Sequence, residues 1–326
     1  MRPLKPKIIV SRCLGFDHCR YDGSIIPSQI VEKLQEEVEC IPVCPELAIG
    51  LGVPRQPVRI VFIDGERRLI QDKSGEDLTL RMSAFIKSFF EGIDVQGFIL
   101  KAKSPSCGVR DVKIYTPQGT VFAQGNGFFA QEALTRHPHL PIETEKRLEN
   151  IAIYEHFLQK VFTLYEFSQV KASQSMKKLV DFHTRYKLFL LAHHQRETQL
   201  LGKIVANAEK NDFVTVAREY EIHLHQALKR AMNRKLTINV LYHALGYFKD
   251  RLTSREKQLF LRLLEQFRQG TVPLAALTGI LRSWIERFEE EYLAKQAFFT
   301  PYPEELQPKI EKDNLPPRNY WDWEES

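Results

Sequence analysis

The sequence predicts an α/β domain with a largely parallel sheet, followed by an all-helical domain. Glycine and proline concentrate at one end, since residues 1–150 hold 12 of the 16 glycines and 11 of the 17 prolines. Strand and helix patterns alternate there, which is typical of a layered α/β fold. Residues 142–272 contain no proline. They can therefore form long helices, because a proline costs about 3 kcal/mol inside one.

Apolar spacing in the first half predicts the order of its elements. Apolar residues three to four apart indicate a helix, and short apolar runs bounded by glycine or proline indicate a buried strand. In chain order we predict a strand at 7–11, a helix around 30–38, a strand at 58–63, a helix at 78–89 and a strand at 97–101. Two weaker strands at 112–115 and 120–123 and a helix at 127–136 follow. This order predicts a Rossmann-like domain.

The second half has only helical patterns. The predicted helices lie near 145–167, 173–208, 212–231, 237–249, 254–269 and 273–296. Asp212 and Ser254 are suited to cap helix N-termini, and Gly270 is suited to end a helix. We therefore expect a first domain over 1–148, a helical domain over 149–300, and an extended tail rich in proline and acid over 301–326.

The composition restricts the class of protein. The chain has 326 residues, of which 43% are apolar and 27% charged, and this balance is typical of a globular protein. No apolar run approaches the roughly 20 residues that span a bilayer. The N-terminus lacks the apolar core of a signal peptide, so we expect a soluble, cytoplasmic protein with no membrane partner. An odd count of five cysteines fits reduced thiols better than disulfides.

Three cysteines occupy predicted loops. Cys13 follows the first strand, Cys107 follows the strand at 97–101, and Cys44 lies between two prolines. In an open α/β sheet, ligands bind where loops leave the carboxyl ends of strands. Three converging thiolates suit an iron–sulfur cluster or zinc. No compact ferredoxin-type cysteine run is present, and on spacing alone buried, inert cysteines explain the same residues equally well.

The neighbours of these cysteines favour chemistry. Glu46 lies two residues after Cys44, and Ser104 lies three residues before Cys107. Lys101 and Lys103 belong to the same segment as Ser104. A carboxylate, a hydroxyl and two ammonium groups beside thiolates indicate a reactive site. The alternative is that Glu46 is a solvated loop acid and Ser104 a turn residue before a proline.

The helical half carries the positive charge, since residues 151–300 hold 23 basic and 15 acidic side chains. Such an excess could contact a phosphate backbone, although ordinary helix-surface charge explains it too. We predict His183 and His193 to be core or capping residues rather than metal ligands, because no acidic ligands occur at matching spacing. The candidate RNA-binding residues are Lys177, Lys178, Arg185 and Lys187 on the predicted helix at 173–208, and Lys229, Arg230 and Arg234 at a helix end.

Several motifs together resemble a known family. Residues 11–15 (SRCLG), 19–23 (CRYDG), 42–46 (PVCPE) and 101–108 (KAKSPSCG) resemble the thiouracil desulfidase (TudS-like) family. Residues 179–183 (LVDFH), Lys187, His193 and 201–203 (LGK) resemble the YbgA-like helical domain. The fusion of the two resembles the RudS type of tRNA 4-thiouridine desulfidase.

The resemblance implies a mechanism. It implies a 4Fe–4S cluster held by Cys13, Cys44 and Cys107, whose open iron takes the thiocarbonyl sulfur of 4-thiouridine in tRNA. Water would supply the new oxygen and sulfide would leave. The resemblance assigns Glu46 to acid–base catalysis and Ser104 to substrate positioning or proton relay. Further substrate-binding candidates are Cys19, Lys101, Lys103 and Ser106, whereas Cys40 is expected to be structural.

Two other functions stay open at this stage. The protein could be a desulfidase of free thiouracil or thionucleotides, with the helical domain serving in assembly. It could also be a non-enzymatic iron–sulfur or zinc protein that binds RNA. Simple metal binding needs neither Glu46 nor Ser104, so these residues favour an enzyme.

Overall fold

The structure is a computed structural model and describes residues 5–308. Its first half contains two four-stranded sheets. The first sheet is entirely parallel, in the order β2–β1–β5–β8, with strands β1 (Lys7–Ser11), β2 (Glu39–Val43), β5 (Gly97–Leu100) and β8 (Ile142–Thr144). The second sheet has the order β4–β3–β6–β7, with strands β3 (Val58–Ile63), β4 (Glu66–Gln71), β6 (Val112–Tyr115) and β7 (Val121–Gly125).

The predicted fold class is confirmed, but the second sheet was not predicted. Strands β3 and β6 are parallel, whereas β3–β4 and β6–β7 are antiparallel hairpins. Asp64 and Gly65 form the two-residue turn between β3 and β4, and both have positive φ, 51° and 82°. A turn of this kind returns the chain alongside itself, so β3 pairs with its neighbour in sequence.

In the part of the chain that the structure describes, four α-helices belong to the first half and eight to the second. The first four are α1 (Gln29–Gln35), α2 (Pro45–Ala48), α3 (Thr79–Phe89) and α4 (Phe128–Arg136). The others are α5 (Ile151–Ser173), α6 (Met176–His193), α7 (Gln195–Ala206), α8 (Phe213–Ala227), α9 (Arg234–Gly246), α10 (Ser254–Gln269), α11 (Leu274–Phe288) and α12 (Glu291–Ala294). Among the described residues, no helix combines the length and apolar character needed to cross a bilayer.

Helix ends account for the main differences from the predicted helices. The helix predicted at 173–208 is two helices, because His194 is extended (φ −157°) and caps α7 by accepting a hydrogen bond from the N–H of Glu197. Asp212 caps α8 and Gly270 ends α10 in the left-handed conformation, as predicted. Ser254 is not the N-cap of α10. Thr253 takes that place, because its side chain and that of Glu256 form a reciprocal capping box.

Helix α5 joins the two halves. Its first part packs on the parallel sheet, where Phe157 and Val161 share a core with Val10 and Ile99. Its last part belongs to the core of the helical bundle, through residues such as Phe167. The predicted boundary at 148 therefore lies just before a helix that contributes to both cores.

A thiol-lined candidate active site

A cavity of about 370 Å³ lies at the carboxyl ends of the parallel strands. Three loops close around it, and each follows a different strand of that sheet: β1, β2 or β5. Cys13, Cys44 and Cys107 come from these three loops and all line the cavity. Of the other predicted site residues, Glu46, Ser104, Cys19, Lys101 and Lys103 line it too. The structure thus brings together residues that lie up to 94 positions apart in sequence.

The surroundings of Cys19, Cys44 and Cys107 raise the pKa values of these three thiols. A hydrogen bond with Cys13 raises the pKa of Cys19 to about 11, and a hydrogen bond with Cys19 raises the pKa of Cys44 further. Burial raises the pKa of Cys107 to about 12. Metal binding would therefore displace protons from these thiols. Cys19 is 1% exposed and interacts with both Cys13 and Cys44, which makes it a fourth thiol at the site.

The cavity offers cysteine thiols as metal donors. Within residues 5–308, no group of three or more His, Cys, Asp or Glu side chains that could hold a single metal ion is found. Thiolates alone, without histidine or carboxylate, are the ligands that iron–sulfur clusters prefer. The residues that could hold such a cluster are Cys13, Cys44 and Cys107.

Both oxygens of Glu46 have partners. Its Oε1 accepts a hydrogen bond from Ser106 Oγ at 3.0 Å, and its Oε2 accepts two from Arg55, at 2.6 Å from Nη2 and 3.0 Å from Nε. The Glu46 side chain is 13% exposed, and that of Arg55 is 6% exposed. Glu46 is therefore not a solvated loop acid, because charge-assisted hydrogen bonds from Arg55 hold one of its oxygens and Ser106 holds the other.

Arg55 is a site residue that the sequence analysis missed. It lies in the loop between α2 and β3, and besides Glu46 it contacts the carbonyl oxygen of Cys19, at 2.9 Å from Nη1. Nothing in the local sequence marks it, because its partners come from other segments. Arg12, Arg20 and Tyr21 also line the cavity without having been predicted as site residues.

The two serines of the cysteine loop have different contacts. The Oγ of Ser104 accepts hydrogen bonds from the backbone N–H groups of Ser106 (3.3 Å) and Cys107 (3.2 Å), so it shapes the turn that presents Cys107. Ser106 is fully buried and is the serine that contacts Glu46. Gly127 packs directly against this turn, where an added Cβ would lie 2.5 Å from the carbonyl of Ser106. The catalytic role of Ser104 stays a prediction.

The two predicted lysines also differ, because one forms an ion pair and the other does not. Lys101 Nζ forms an ion pair with Glu145 at 2.5 Å, and the other oxygen of Glu145 accepts the N–H of Ala102. Lys101 therefore stabilises the start of its loop. Lys103 has a positive φ of 60° and forms no ion pair with the described residues, so its charge is available at the cavity.

The candidate RNA-binding residues do not form one patch. All seven are exposed, but Arg185 is paired with Glu166 at 2.7 Å, and Arg234 stacks on the ring of Phe267. Lys177 and Lys178 begin α6, whereas the segment holding Lys229 and Arg230 lies near its end, since the N–H of Asn233 bonds to the carbonyl of Ala192. Fifteen helical residues separate the two groups by about 22 Å.

The histidines of α6 belong to the core. His183 is buried and its Nδ1 lies 3.1 Å from the hydroxyl of Tyr220. His193 is buried and its Nδ1 bonds to the carbonyl of Phe189. His194 lies outside this helix, because α6 ends at His193.

Two family models match the chain, one in each half. A model described as 2-thiouracil desulfurase matches residues 8–145, and a model described as a protein of unknown function (DUF1722) matches residues 187–303. Three similar proteins cover parts of the chain.

The first is the uncharacterized protein YbbK of Bacillus subtilis (strain 168), which is 41% identical over 109 residues, 31% of this chain and 72% of the relative. The second is the uncharacterized protein YbgA of Escherichia coli (strain K12), which is 30% identical over 151 residues, 45% of this chain and 88% of the relative. The third is a solved structure described as the 4Fe–4S-dependent thiouracil desulfidase TudS. It is 33% identical and covers 44% of this chain and 94% of its own, with a TM-score of 0.35.

Proposed function

The chain belongs to the 2-thiouracil desulfurase family through residues 8–145 and is a desulfidase, and we propose that its substrate is 4-thiouridine in tRNA. The matches confirm the expected fusion of a thiouracil desulfidase domain with a YbgA-like helical domain. The observation that carries the proposal is the cavity in which three loop thiols meet a carboxylate held by two partners. The net reaction consumes water and the thiocarbonyl and yields the carbonyl and hydrogen sulfide.

In this proposal Cys13, Cys44 and Cys107 hold a 4Fe–4S cluster. When bound, the cluster supplies an open iron that acts as a Lewis acid toward the sulfur of the substrate. The protein contributes a cavity in which no carboxylate or imidazole competes for that iron among the lining residues, apart from Glu46. Arg55 and Ser106 bond to the two oxygens of Glu46, so the carboxylate has a fixed position from which it can exchange a proton with the substrate.

Glu46 is the proposed general base and acid. It takes a proton from the attacking water and later returns one to the departing group, a role in which positioned carboxylates contribute typically 10²–10⁴-fold. Ser104 belongs to the cysteine loop and lines the same cavity, where its hydroxyl could hydrogen-bond a ring edge of the substrate. Lys103 and Arg12 add positive charge without a carboxylate partner in the described part of the chain, which favours a substrate that carries phosphate.

The direct test uses protein purified and reconstituted without oxygen. We expect it to convert 4-thiouridine to uridine in tRNA, and we expect Cys44→Ala to abolish both the cluster absorption and the conversion. Cys40→Ala is the matched control, because Cys40 lies on β2, four residues before Cys44, but is not among the residues that line the cavity. An unchanged 4-thiouridine content after incubation with loaded wild-type protein would overturn the proposal.

A second candidate, desulfuration of free thiouracil, is favoured by the family description, which names 2-thiouracil. Variants that remove positive charge from the helical half distinguish the two candidate substrates. Lys177→Gln with Lys178→Gln, and separately Lys229→Gln with Arg230→Gln, should weaken tRNA binding. Each should also make tRNA binding less dependent on salt concentration. The slope of log K against log salt concentration should fall by about one for every phosphate contact that the variant loses. Rates on free thiouracil should not change. Equal rates on tRNA in all these variants would favour the free base as the substrate.

A further inference from the structure

Arg55 joins three separate segments at the candidate active site. Its Nε and Nη2 donate to Glu46 Oε2, and its Nη1 donates to the carbonyls of Cys19 (2.9 Å) and Gly52 (3.3 Å). Its backbone N–H donates to the carbonyl of Tyr21 at 2.8 Å. One side chain therefore connects the start of α2, the loop that carries Cys19, and its own loop.

The burial of Arg55 distinguishes it from other arginines of the α/β half. Its side chain is 6% exposed, whereas Arg59, which forms a 3.0 Å ion pair with Asp72, is 36% exposed. A guanidinium out of water needs its donors satisfied, and here Glu46 and two carbonyl groups accept from four of its five N–H groups. The flat fork also matches a carboxylate in a way that an ammonium group does not.

We propose that Arg55 is a positioning residue that selects which oxygen of Glu46 takes part in proton transfer. An ionised carboxylate has about four acceptor sites, two on each oxygen. Arg55 occupies both sites of Oε2, while Ser106 occupies one site of Oε1. The remaining acceptor site is on Oε1. This inference rests on the proposed function, in which Glu46 is the general base.

The same contacts tie Glu46 to the loop that carries Cys19. Because Arg55 also bonds to the carbonyl of Cys19, the position of Glu46 relative to the Cys19 loop is fixed by one rigid group. Without Arg55 the carboxylate could rotate and present either oxygen. A small displacement of a catalytic group can cost about 100-fold in rate even when substrate binding is intact.

The test compares Arg55→Gln and Arg55→Lys with wild type, all loaded with cluster. We expect kcat on the thiolated substrate to fall about 100-fold in Arg55→Gln, with KM and the iron and sulfide content near wild type. Arg55→Lys keeps the charge but not the fork, so it should recover only part of the rate. Added guanidinium should raise the rate of Arg55→Ala and not that of wild type. Arg59→Gln is the control and should keep the wild-type kcat.

A double-mutant cycle with Glu46→Gln decides whether Arg55 acts through Glu46. If it does, Arg55→Gln causes no further loss of kcat once Glu46 is already Gln. Wild-type kcat in Arg55→Gln, or additive losses in the cycle, would overturn the inference. If Arg55→Gln fails to fold, Arg55→Lys and the guanidinium response of Arg55→Ala still test it. If the wild-type protein has no desulfidase activity, the proposed function is wrong. The coupling between Arg55 and Glu46 can then still be measured from the urea unfolding midpoints of the four proteins in the cycle.

Discussion

The two halves of the molecule bury polar groups in different ways. In the α/β half, buried charges are paired at short distance, as in Arg55–Glu46 (6% and 13% exposed) and Lys101–Glu145 (20% and 7% exposed). In the helical half, the buried polar residues of α6 are histidines, the ion pair Arg185–Glu166 is 48% and 32% exposed, and the contact between His223 and Glu197 at 2.6 Å is 28% and 15% exposed. A buried ion pair adds little net stability, but removing one partner is costly because the other charge is left unpaired, whereas an exposed pair contributes at most about 1 kcal/mol. The most buried of these pairs, Arg55–Glu46, lies at the candidate site, so we expect the larger effects there.

The largest expected effect is loss of the general base. Glu46→Gln keeps the shape of the side chain but removes its basicity, so we expect kcat to fall about 10³-fold, within the usual range for general acid–base catalysis. Desulfuration kinetics with cluster-loaded protein measure this. The control is Glu66→Gln, because Glu66 is exposed and pairs only with Arg68 at the surface. A loss smaller than tenfold would mean that Glu46 has a structural role. The buried ion pairs of the α/β half would then serve its fold and not catalysis.

The second effect concerns backbone precision in the α/β half. In Gly127→Ala the new Cβ would lie 2.5 Å from the carbonyl of Ser106 and 2.8 Å from the N of Cys107. Because these neighbours are backbone atoms, they cannot move without shifting the cysteine loop. We expect a loss of about 1–3 kcal/mol in the free energy of unfolding, as for other overpacked sites. Urea unfolding measures the loss, and a lower iron content after reconstitution should accompany it.

Much of the candidate site could be predicted from sequence. Loops that follow strands of a parallel sheet meet at one edge, so the positions of Cys13 and Cys107 after predicted strands indicated that they converge on one cavity. Cys44 was placed in a loop without its preceding strand, because β2 was not predicted. Arg55 could not be found in this way. Its partners Glu46 and Cys19 are brought to it by the path of two loops, and loop paths follow from tertiary packing rather than from periodicity.

The missed elements have similar causes. Strand β2 contains Pro42 and alternates weakly, and it can tolerate the proline because it is an edge strand. The break at His194 has no local signal, since the residues around it contain neither proline nor glycine. A side-chain cap and the packing of α7 against both α6 and α8 end the helix there.

The third prediction concerns acid pH in the helical half. Burial lowers the pKa of His193 to about 4 from an ordinary value of 6.5. Between these values the unfolded chain binds a proton that the folded chain does not, so stability is full above pH 6.5 and is lost as pH falls. We expect about 1.5 kcal/mol of loss from His193 between pH 6.5 and 5. His183, whose pKa burial also lowers to about 4, adds to it.

Urea unfolding at several pH values, followed by helical circular dichroism, measures this loss. His193→Gln should flatten the pH dependence, whatever it does to stability at pH 7. His243→Gln is the control, because His243 is exposed on α9. An equally steep pH dependence in His193→Gln would place the acid sensitivity elsewhere, for example in the carboxylates of the α/β half.

The smallest expected effect comes from a second glycine-to-alanine change, this time in the helical half. Gly279 lies inside α11 on its exposed side, and a Cβ added there would have no heavy atom within 4 Å. Because glycine is less favourable than alanine in a helix interior by about 0.5–1 kcal/mol, Gly279→Ala should stabilise the protein by that amount. Urea unfolding should show the gain, with desulfidase activity and iron content unchanged. Opposite signs for the two glycine-to-alanine changes follow directly from what each Cβ meets, backbone in one half and open space in the other. A destabilised Gly279→Ala would show that this face of α11 is covered in solution. The helical half would then also contain a surface too tightly packed to accept an added methyl group.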